Sequence, residues 1–363
     1  MGGVERGTVE VATALQAAGI RNYVASAGGR LVSELGKNGV RHIQLPLATK
    51  SPFGIWRNSL RLASLARELG VTLFHVRSRA PAWSVFFVSR KTGIPFLTTY
   101  HGVYGITPPW LKKRYNAVML KGVKVIAVSD FVRNHIETEY GVESSRIVRI
   151  HRGADTDYFN PDKIPSARIA EIKAGYGIAP ETPVVTLVGR LTGWKGQKLL
   201  LDAFTRMAHR NFACLLVGSD QGRTEYTREL EDRIAHLPTG IAVQIIQSSP
   251  DMAETYAMSD IVVNASTSPE AFGRVIPEAQ AMRRLTLGAA HGGACETIDD
   301  GKTGFLFTPG DADALARQLD LMLDLLPEER VRIGEAARAS VVANFSTRQL
   351  CEKTIALYRQ LHG

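Results

Sequence analysis

Apolar and polar positions along this chain follow two alternating periods. Short runs rich in β-branched and aromatic residues, as expected of strands buried on both faces, recur at 22–25, 42–47, 72–76, 95–100, 124–128 and 147–150. A second series follows at 184–188, 214–217, 243–246, 261–263, 285–287 and 305–307. Between most of them apolar residues recur at helical spacing, as Val9, Ala12, Leu15 and Ala18 do within 5–19. Strands that alternate with helices predict parallel, doubly wound sheets. The pattern is interrupted at 160–183, NPDKIPSARIAEIKAGYGIAPETP, a polar, Pro-rich stretch around one short helix, which reads as a domain boundary. A length of 363 residues also exceeds the usual single-domain size. We therefore expect an α/β chain with domains at 1–165 and 166–345 and a final helical segment at 346–363. The two halves are not sequence repeats.

The stretch 260–282, DIVVNASTSPEAFGRVIPEAQAM, organises the second half. Ile261, Val262 and Val263 predict a buried strand, 266–269 a loop, and EAQAM a helix whose start Pro277 helps to place, because proline is tolerated only in the first turn. Glu278 then sits in the first helical turn, where free N–H groups and the helix dipole favour an anion. In an open α/β sheet such a site lies at the carboxyl ends of the strands. Glu270 in the loop and Glu278 bracket Gly273, which has no Cβ to keep a ligand from the backbone. Two carboxylates beside an anion site fit a ligand that carries both phosphates and sugar hydroxyls.

Strand 184–188 leads straight into Gly189-Arg190-Leu191-Thr192-Gly193-Trp194-Lys195-Gly196. The spacing is not that of a Walker A loop. Glycines at a strand-to-helix turn, with Arg190 and Lys195 five apart, suit a diphosphate held by a planar fork and a point charge. His101 follows strand 95–100 in TTYHG, again at a carboxyl strand end. His75, in LFHVRSR, lies near a strand end as well, and a structural role is the simpler expectation there.

The net charge of +9 is uneven: residues 1–150 carry 21 Lys/Arg against 8 Asp/Glu, a net +13, leaving 23 against 27, a net −4, for the rest. No zinc-finger, aromatic ribonucleoprotein or helix-turn-helix pattern accompanies the basic half, so no nucleic-acid partner is expected. Segment 108–124, PPWLKKRYNAVMLKGVK, spaces Leu111, Tyr115 and Val118 along one helical face with Trp110, Lys112, Lys113, Arg114, Lys121 and Lys124 around it. Trp56, Arg57 and Arg61 extend the same chemistry. This reads either as a solvated charged helix or as a segment that meets an anionic membrane surface. No apolar run approaches the roughly 18–20 residues that span a bilayer, and the N-terminus has no secretory signal pattern. Cys214, Cys295 and Cys351 are widely spaced and match no metal-ligand pattern. A cytoplasmic protein, peripheral on the inner membrane face at most, is expected.

Against this background EAFGRVIPE resembles the E-x7-E motif of retaining glycosyltransferases of family 4, which have the GT-B fold. GRL…KG resembles their diphosphate clamp, TTYHG their histidine loop facing the sugar, and HGGACETIDDGKTGFLFTPGD their GG-x-x-E segment, with Glu296 in the acidic position. Segment 248–258 corresponds to their loop near the donor's base. Arg152 stands where asparagine is common, and Arg283 and Leu285 replace the usual glycine and proline. The resemblance implies two doubly wound Rossmann-like domains facing across a cleft. It implies a nucleotide-diphosphate sugar as donor, a saccharide or glycolipid acceptor of lipopolysaccharide or other bacterial surface-glycan type, and no metal or other cofactor. The residues it marks as catalytic are Glu270, His101, Arg190 and Lys195. Those it marks as donor-binding are Gly2, Gly3, Gly189, Arg190, Lys195, Glu270, Phe272, Gly273, Arg274, Val275 and Glu278. A nucleotide-sugar epimerase, or a non-catalytic descendant that only binds, remains an alternative. In that family a first strand runs into the Gly2-Gly3 turn. No strand pattern precedes the helix at 5–19 here, so the first sheet is expected to lack that strand, and whether Met1 is the true start stays open.

Overall fold

The computed structural model of the chain describes residues 3–103, 109–247 and 251–362. The chain divides into two compact units, one of Met1–Arg152 with Thr347–Gly363 and the other of Gly153–Ser346. The division falls within the HRGAD turn that precedes the Pro-rich stretch.

In the first unit the order is α1 (Gly3–Ala17), β1 (Tyr23–Ser26), α2 (Val32–Lys37), β2 (Arg41–Gln44), α3 (Pro52–Leu69), β3 (Phe74–Val76), α4 (Arg79–Thr92), β4 (Phe96–Tyr100), α5 (Pro109–Asn116), β5 (Lys124–Ala127), α6 (Asp130–Tyr140) and β6 (Ile147–Arg149). In the second it is α7 (Ser166–Gly175), β7 (Val184–Val188), α8 (Gln197–Phe204), β8 (Phe212–Val217), α9 (Thr224–Ala235), β9 (Ile241–Ile246), α10 (Met252–Ala257), β10 (Ile261–Asn264), α11 (Val275–Ala281), β11 (Leu285–Ala289), α12 (Ala294–Thr297), β12 (Phe305–Phe307), α13 (Ala312–Leu323) and α14 (Pro327–Asn344). The last helix, α15 (Thr347–His362), returns to the first unit.

Local chemistry accounts for many of these boundaries. Helix α3 starts where the Ser51 side chain accepts from the Gly54 N–H and Pro52 fills the first turn, and it stops at Gly70 with φ of 65°. Its buried face is Ile55, Leu62, Ala63 and Ala66. The expected helical face over 108–124 does not persist: α5 ends at Asn116 and a 3-10 turn follows over Ala117–Leu120. Asn116 is fully buried and its side-chain oxygen accepts from Arg79 Nη1 at 3.1 Å. That bond draws the chain inward, so Val118 is in the core while Leu111 stays in solvent.

The second unit has one parallel sheet in the order β12-β11-β10-β7-β8-β9. From β7 the chain moves first to β8 on one side and later to β10 on the other, so β7 and β10 flank the point where the strand order reverses. The first unit differs from the single sheet expected. Its strands form a two-stranded sheet, β1-β2, and a four-stranded one, β3-β4-β5-β6, all parallel. The residues of β1 are all half-buried and, among the described residues, pair only with β2, as expected of a marginal two-stranded ribbon.

Helix α15 completes the first unit's core. Leu357 packs with Leu97, Ile126 and Ile150 from β4, β5 and the end of β6. The Tyr358 hydroxyl meets His75 Nδ1, while His75 Nε2 bonds Thr99 Oγ1 at 2.6 Å. His362 reaches Thr72 Oγ1 at 2.7 Å. His75 is therefore a structural residue. No helix among the described residues is long and apolar enough to cross a membrane.

Burial, and secondarily the charge of Arg77, holds the His75 imidazole well below its ordinary pKa. Burial does the same to His101, reinforced by Arg152, Arg77 and His75. Unfolded imidazoles take up protons near pH 6.5 that the folded ones refuse, so the unfolded state binds more protons below that pH and stability falls as pH drops. Each imidazole contributes up to about 1.4 kcal/mol per pH unit. Denaturant unfolding followed by tryptophan fluorescence, which reports mainly on Trp56, Trp83 and Trp110 of the first unit, is expected to lose midpoint concentration from pH 7.5 to 5.5. The loss should be smaller in His75→Gln, and identical pH slopes for the two proteins would exclude His75 as a source.

Candidate active site

The two loops that leave β7 and β10 lie side by side at the strand-order reversal, the usual ligand crevice of an open α/β sheet. Their backbones touch at Gly196, which has φ of 79° and where a Cβ would come within 1.9 Å of the Ala265 carbonyl oxygen. No other residue fits there. One turn away, the Thr267 N–H donates to the Trp194 carbonyl at 2.8 Å.

This arrangement brings Lys195 and Glu270 together. Lys195 Nζ donates to Glu270 Oε1 at 2.7 Å, and the two side chains are only 12% and 16% exposed. The same oxygen accepts from Asn264 Nδ2 at 3.0 Å and from Ser266 Oγ at 2.5 Å. Burial pushes the Glu270 carboxyl up, but the charge of Lys195 and the hydrogen bonds from Lys195, Ser266 and Asn264 outweigh it, leaving the pKa below the usual carboxylate value. Glu270 is thus an anion at neutral pH. Its other oxygen faces Gly273, whose φ is 74° and where a Cβ would stand 3.8 Å from Oε2 and 3.3 Å from Asn264 Nδ2.

Neighbouring segments brace the Glu270 loop. The Gly293 N–H donates to the Glu270 carbonyl at 2.9 Å, and His291 Nε2 lies 2.8 Å from the Ser266 carbonyl oxygen. Phe272 is buried and packs on Phe345 at 6.0 Å between ring centroids. Helix α11 begins at Val275, two residues before Pro277, so the proline lies inside the first turn and not at its first position. Glu278 is in that turn. Its Oε1 accepts from Arg274 Nε at 3.0 Å and its Oε2 from the Tyr256 hydroxyl at 3.1 Å. Burial, with Glu278 beside it, pushes the Tyr256 pKa well up, which keeps the phenol a donor.

Gly189 follows β7, with the Lys195 aliphatic stem across it. Arg190 is exposed, and its carbonyl is fixed by Gln197 Nε2 at 3.0 Å. Glu296 lies on α12. In the first unit His101 directly follows β4, and both ring nitrogens are buried without a hydrogen-bond partner among the described residues. Gly3 opens α1 against the Arg152 guanidinium. Gly2, and Ser248 to Pro250 of the segment assigned to the donor's base, lie outside the described residues.

Sequence reading missed Asn264, Ser266 and His291. Asn264-Ala265-Ser266 has the form of a glycosylation sequon, which hides the more useful signal: an asparagine ending a fully buried β-branched strand needs a polar partner.

A family model described as Glycosyltransferase Family 4 matches residues 1–158, and one described as Glycosyl transferases group 1 matches residues 168–340. A solved glycosyltransferase from Rickettsia africae is 40% identical, with a TM-score of 0.92 over 99% of this chain and 95% of that one. The chain belongs to the group 1 glycosyltransferases. This glycosyltransferase is also 25% identical to the alpha-D-kanosaminyltransferase of Streptomyces kanamyceticus, over 85% of its own length and 81% of the relative's. Its fold matches that of Anabaena HepE, solved in complex with UDP, with a TM-score of 0.86 and 22% identity over 99% and 96% of the two chains. The architecture is the two-domain GT-B fold.

The close approach at Gly196 has a measurable consequence. Gly196→Ala is expected to destabilise the second unit by about 1–3 kcal/mol from backbone strain alone, with the displacement of the Ala265 carbonyl adding to it. Gly193→Ala, with nothing within 4 Å of the new Cβ, is the control and should melt like the parent in calorimetry. Equal melting of the two variants would refute the close approach of the two backbones.

Proposed function

We propose that this glycosyltransferase moves a glycosyl group, with retention of configuration, from a nucleotide-diphosphate sugar to a saccharide or glycolipid acceptor. The observation that carries the reading is the desolvated Lys195–Glu270 pair on the crevice loops, with Arg190 on the same loop as Lys195. As the bond between the anomeric carbon and the phosphate oxygen breaks, Arg190 and Lys195 offset the charge arriving on the diphosphate. The acceptor oxygen bonds to the anomeric carbon from the same face, and its proton passes to the departing phosphate oxygen. Glu270 holds a sugar hydroxyl through Oε2 and offsets the positive charge developing at the anomeric carbon. Glu278 accepts from the ribose hydroxyls, and the neutral His101 imidazole bonds a substrate hydroxyl. The two cations take the part that a metal has in other nucleotide-sugar enzymes, so chelators are expected to leave the rate unchanged.

An acceptor anchored in an anionic bilayer, such as a lipopolysaccharide or other bacterial surface-glycan intermediate, fits the first unit. Trp110 and Leu111 on α5 are 63% and 54% exposed beside Lys112 and Arg114, and Lys113 lies 3.9 Å from Glu139. On α3, Phe53 and Trp56 are exposed with their rings 5.9 Å apart, next to Arg57 and Arg61. Apolar rings among cations are the composition of an interfacial helix.

Thermal-shift screening against UDP-, GDP- and ADP-sugars identifies the donor, because a ligand bound only by the folded state raises the melting temperature. With that donor, Lys195→Ala and Arg190→Ala are each expected to lower transfer about 100- to 1,000-fold, the cost of one charge-stabilising group. Near-parental transfer by Lys195→Ala would sink the proposed chemistry.

The bilayer assignment has its own test. Cosedimentation with vesicles containing phosphatidylglycerol should exceed that with phosphatidylcholine alone and be released by salt. It should weaken about tenfold or more when Lys112 and Arg114 become Gln, at roughly 1 kcal/mol per basic residue. Binding indifferent to lipid charge would remove the membrane from the proposal.

A further inference from the structure

Trp194 lies within reach of both cations of the crevice and has no part in the chemistry proposed above. Lys195 Nζ stands 4.5 Å from its ring centroid and the Arg190 guanidinium carbon 5.8 Å, both within the reach of a cation–π attraction. The ring is half-buried, and it is not among the residues of the two apolar clusters that hold Val184, Val185 and Leu187 of β7. Its base is fixed: residues 193–195 form a 3-10 turn, and the Trp194 carbonyl accepts from the Thr267 N–H at 2.8 Å and from Thr267 Oγ1 at 3.4 Å. The ring is therefore tied at its base to the loop that also carries Glu270.

The two cations are held unequally. Lys195 has Glu270 as an ion-pair partner. Arg190 is exposed, and among the described residues its guanidinium makes no ion pair or hydrogen bond, only the approach to the Trp194 ring. A long side chain free in solvent loses rotamer entropy when it is immobilised on a ligand, and two like charges converging on one spot repel. An aromatic ring within cation–π reach of both counters each effect.

We propose that Trp194 is a positioning residue whose ring holds the Arg190 guanidinium beside Lys195, so that the pair meets a diphosphate already assembled. The proposal rests on the diphosphate-clamp reading of Arg190 and Lys195, and the test separates the two.

The measurement is isothermal titration of inorganic pyrophosphate, and of UDP, GDP and ADP, into the full chain. Trp194→Leu is expected to weaken the diphosphate ligands about three- to tenfold, the range of one to two cation–π contacts, and Trp194→Phe to recover most of the loss because it restores a π-face. In an Arg190→Met background the cost of Trp194→Leu should fall by at least half, which a merely structural role would not produce. Circular-dichroism melts confirm that each variant is folded. If the parent binds none of the four ligands, the clamp reading fails and takes this proposal with it. If the parent binds but Trp194→Leu binds equally well, or loses as much without Arg190 as with it, the clamp stands and the role of Trp194 is refuted.

Discussion

A carboxylate withdrawn from water needs a cation within reach, and the pair Lys195–Glu270 meets that need across two loops that are 75 residues apart in sequence. Buried ion pairs seldom repay their desolvation against an apolar alternative, so stability alone is a poor reason to keep one here. What the pair secures is a fixed anion at the strand-order reversal of the second sheet. Much of the surrounding detail follows from holding those two side chains in register. The glycine at 196 lets the loops touch, Thr267 ties them, and the stretch after β11 supports the carbonyl of Glu270 itself.

The sheet order explains why the loops meet at all. β7 and β10 are hydrogen-bonded neighbours, but the chain leaves them in opposite directions, so their outgoing loops do not obstruct each other. The fully buried β10, with Ile261, Val262 and Val263 at 0% exposure, makes the floor of that crevice rigid. Rigidity matters because a misplacement of about 1 Å can cost on the order of 100-fold in rate.

Strands such as β7, β10 and β12 were legible from the sequence because each is a short β-branched or aromatic run between turn residues, and both faces of a parallel sheet demand that composition. The carboxylates and cations of the second unit were legible too, since they follow those strands directly. What escaped depended on long-range pairing. That β1 and β2 separate from β3-β4-β5-β6 is a matter of hydrogen-bonded neighbours, which periodicity does not encode. The break at Asn116 comes from a bond to Arg79, 37 residues away. Asn264 and Ser266 take their role from Glu270, whose Oε1 accepts from both.

The return of α15 to the first unit sets an order on how the protein is made. The second unit is an insertion: its ends meet where Ala154 pairs with Ser346, and its strands and helices are contiguous between those residues. It can close before α15 has left the ribosome. The first unit cannot, because the helix that covers Leu97, Ile126 and Ile150 emerges only after the whole of the second unit. Until α15 is made, the earlier half of the chain therefore carries an open apolar surface, the kind that recruits chaperones and favours aggregation. A stop codon shortly before Thr347 would leave a complete inserted unit on a host that never finishes its core.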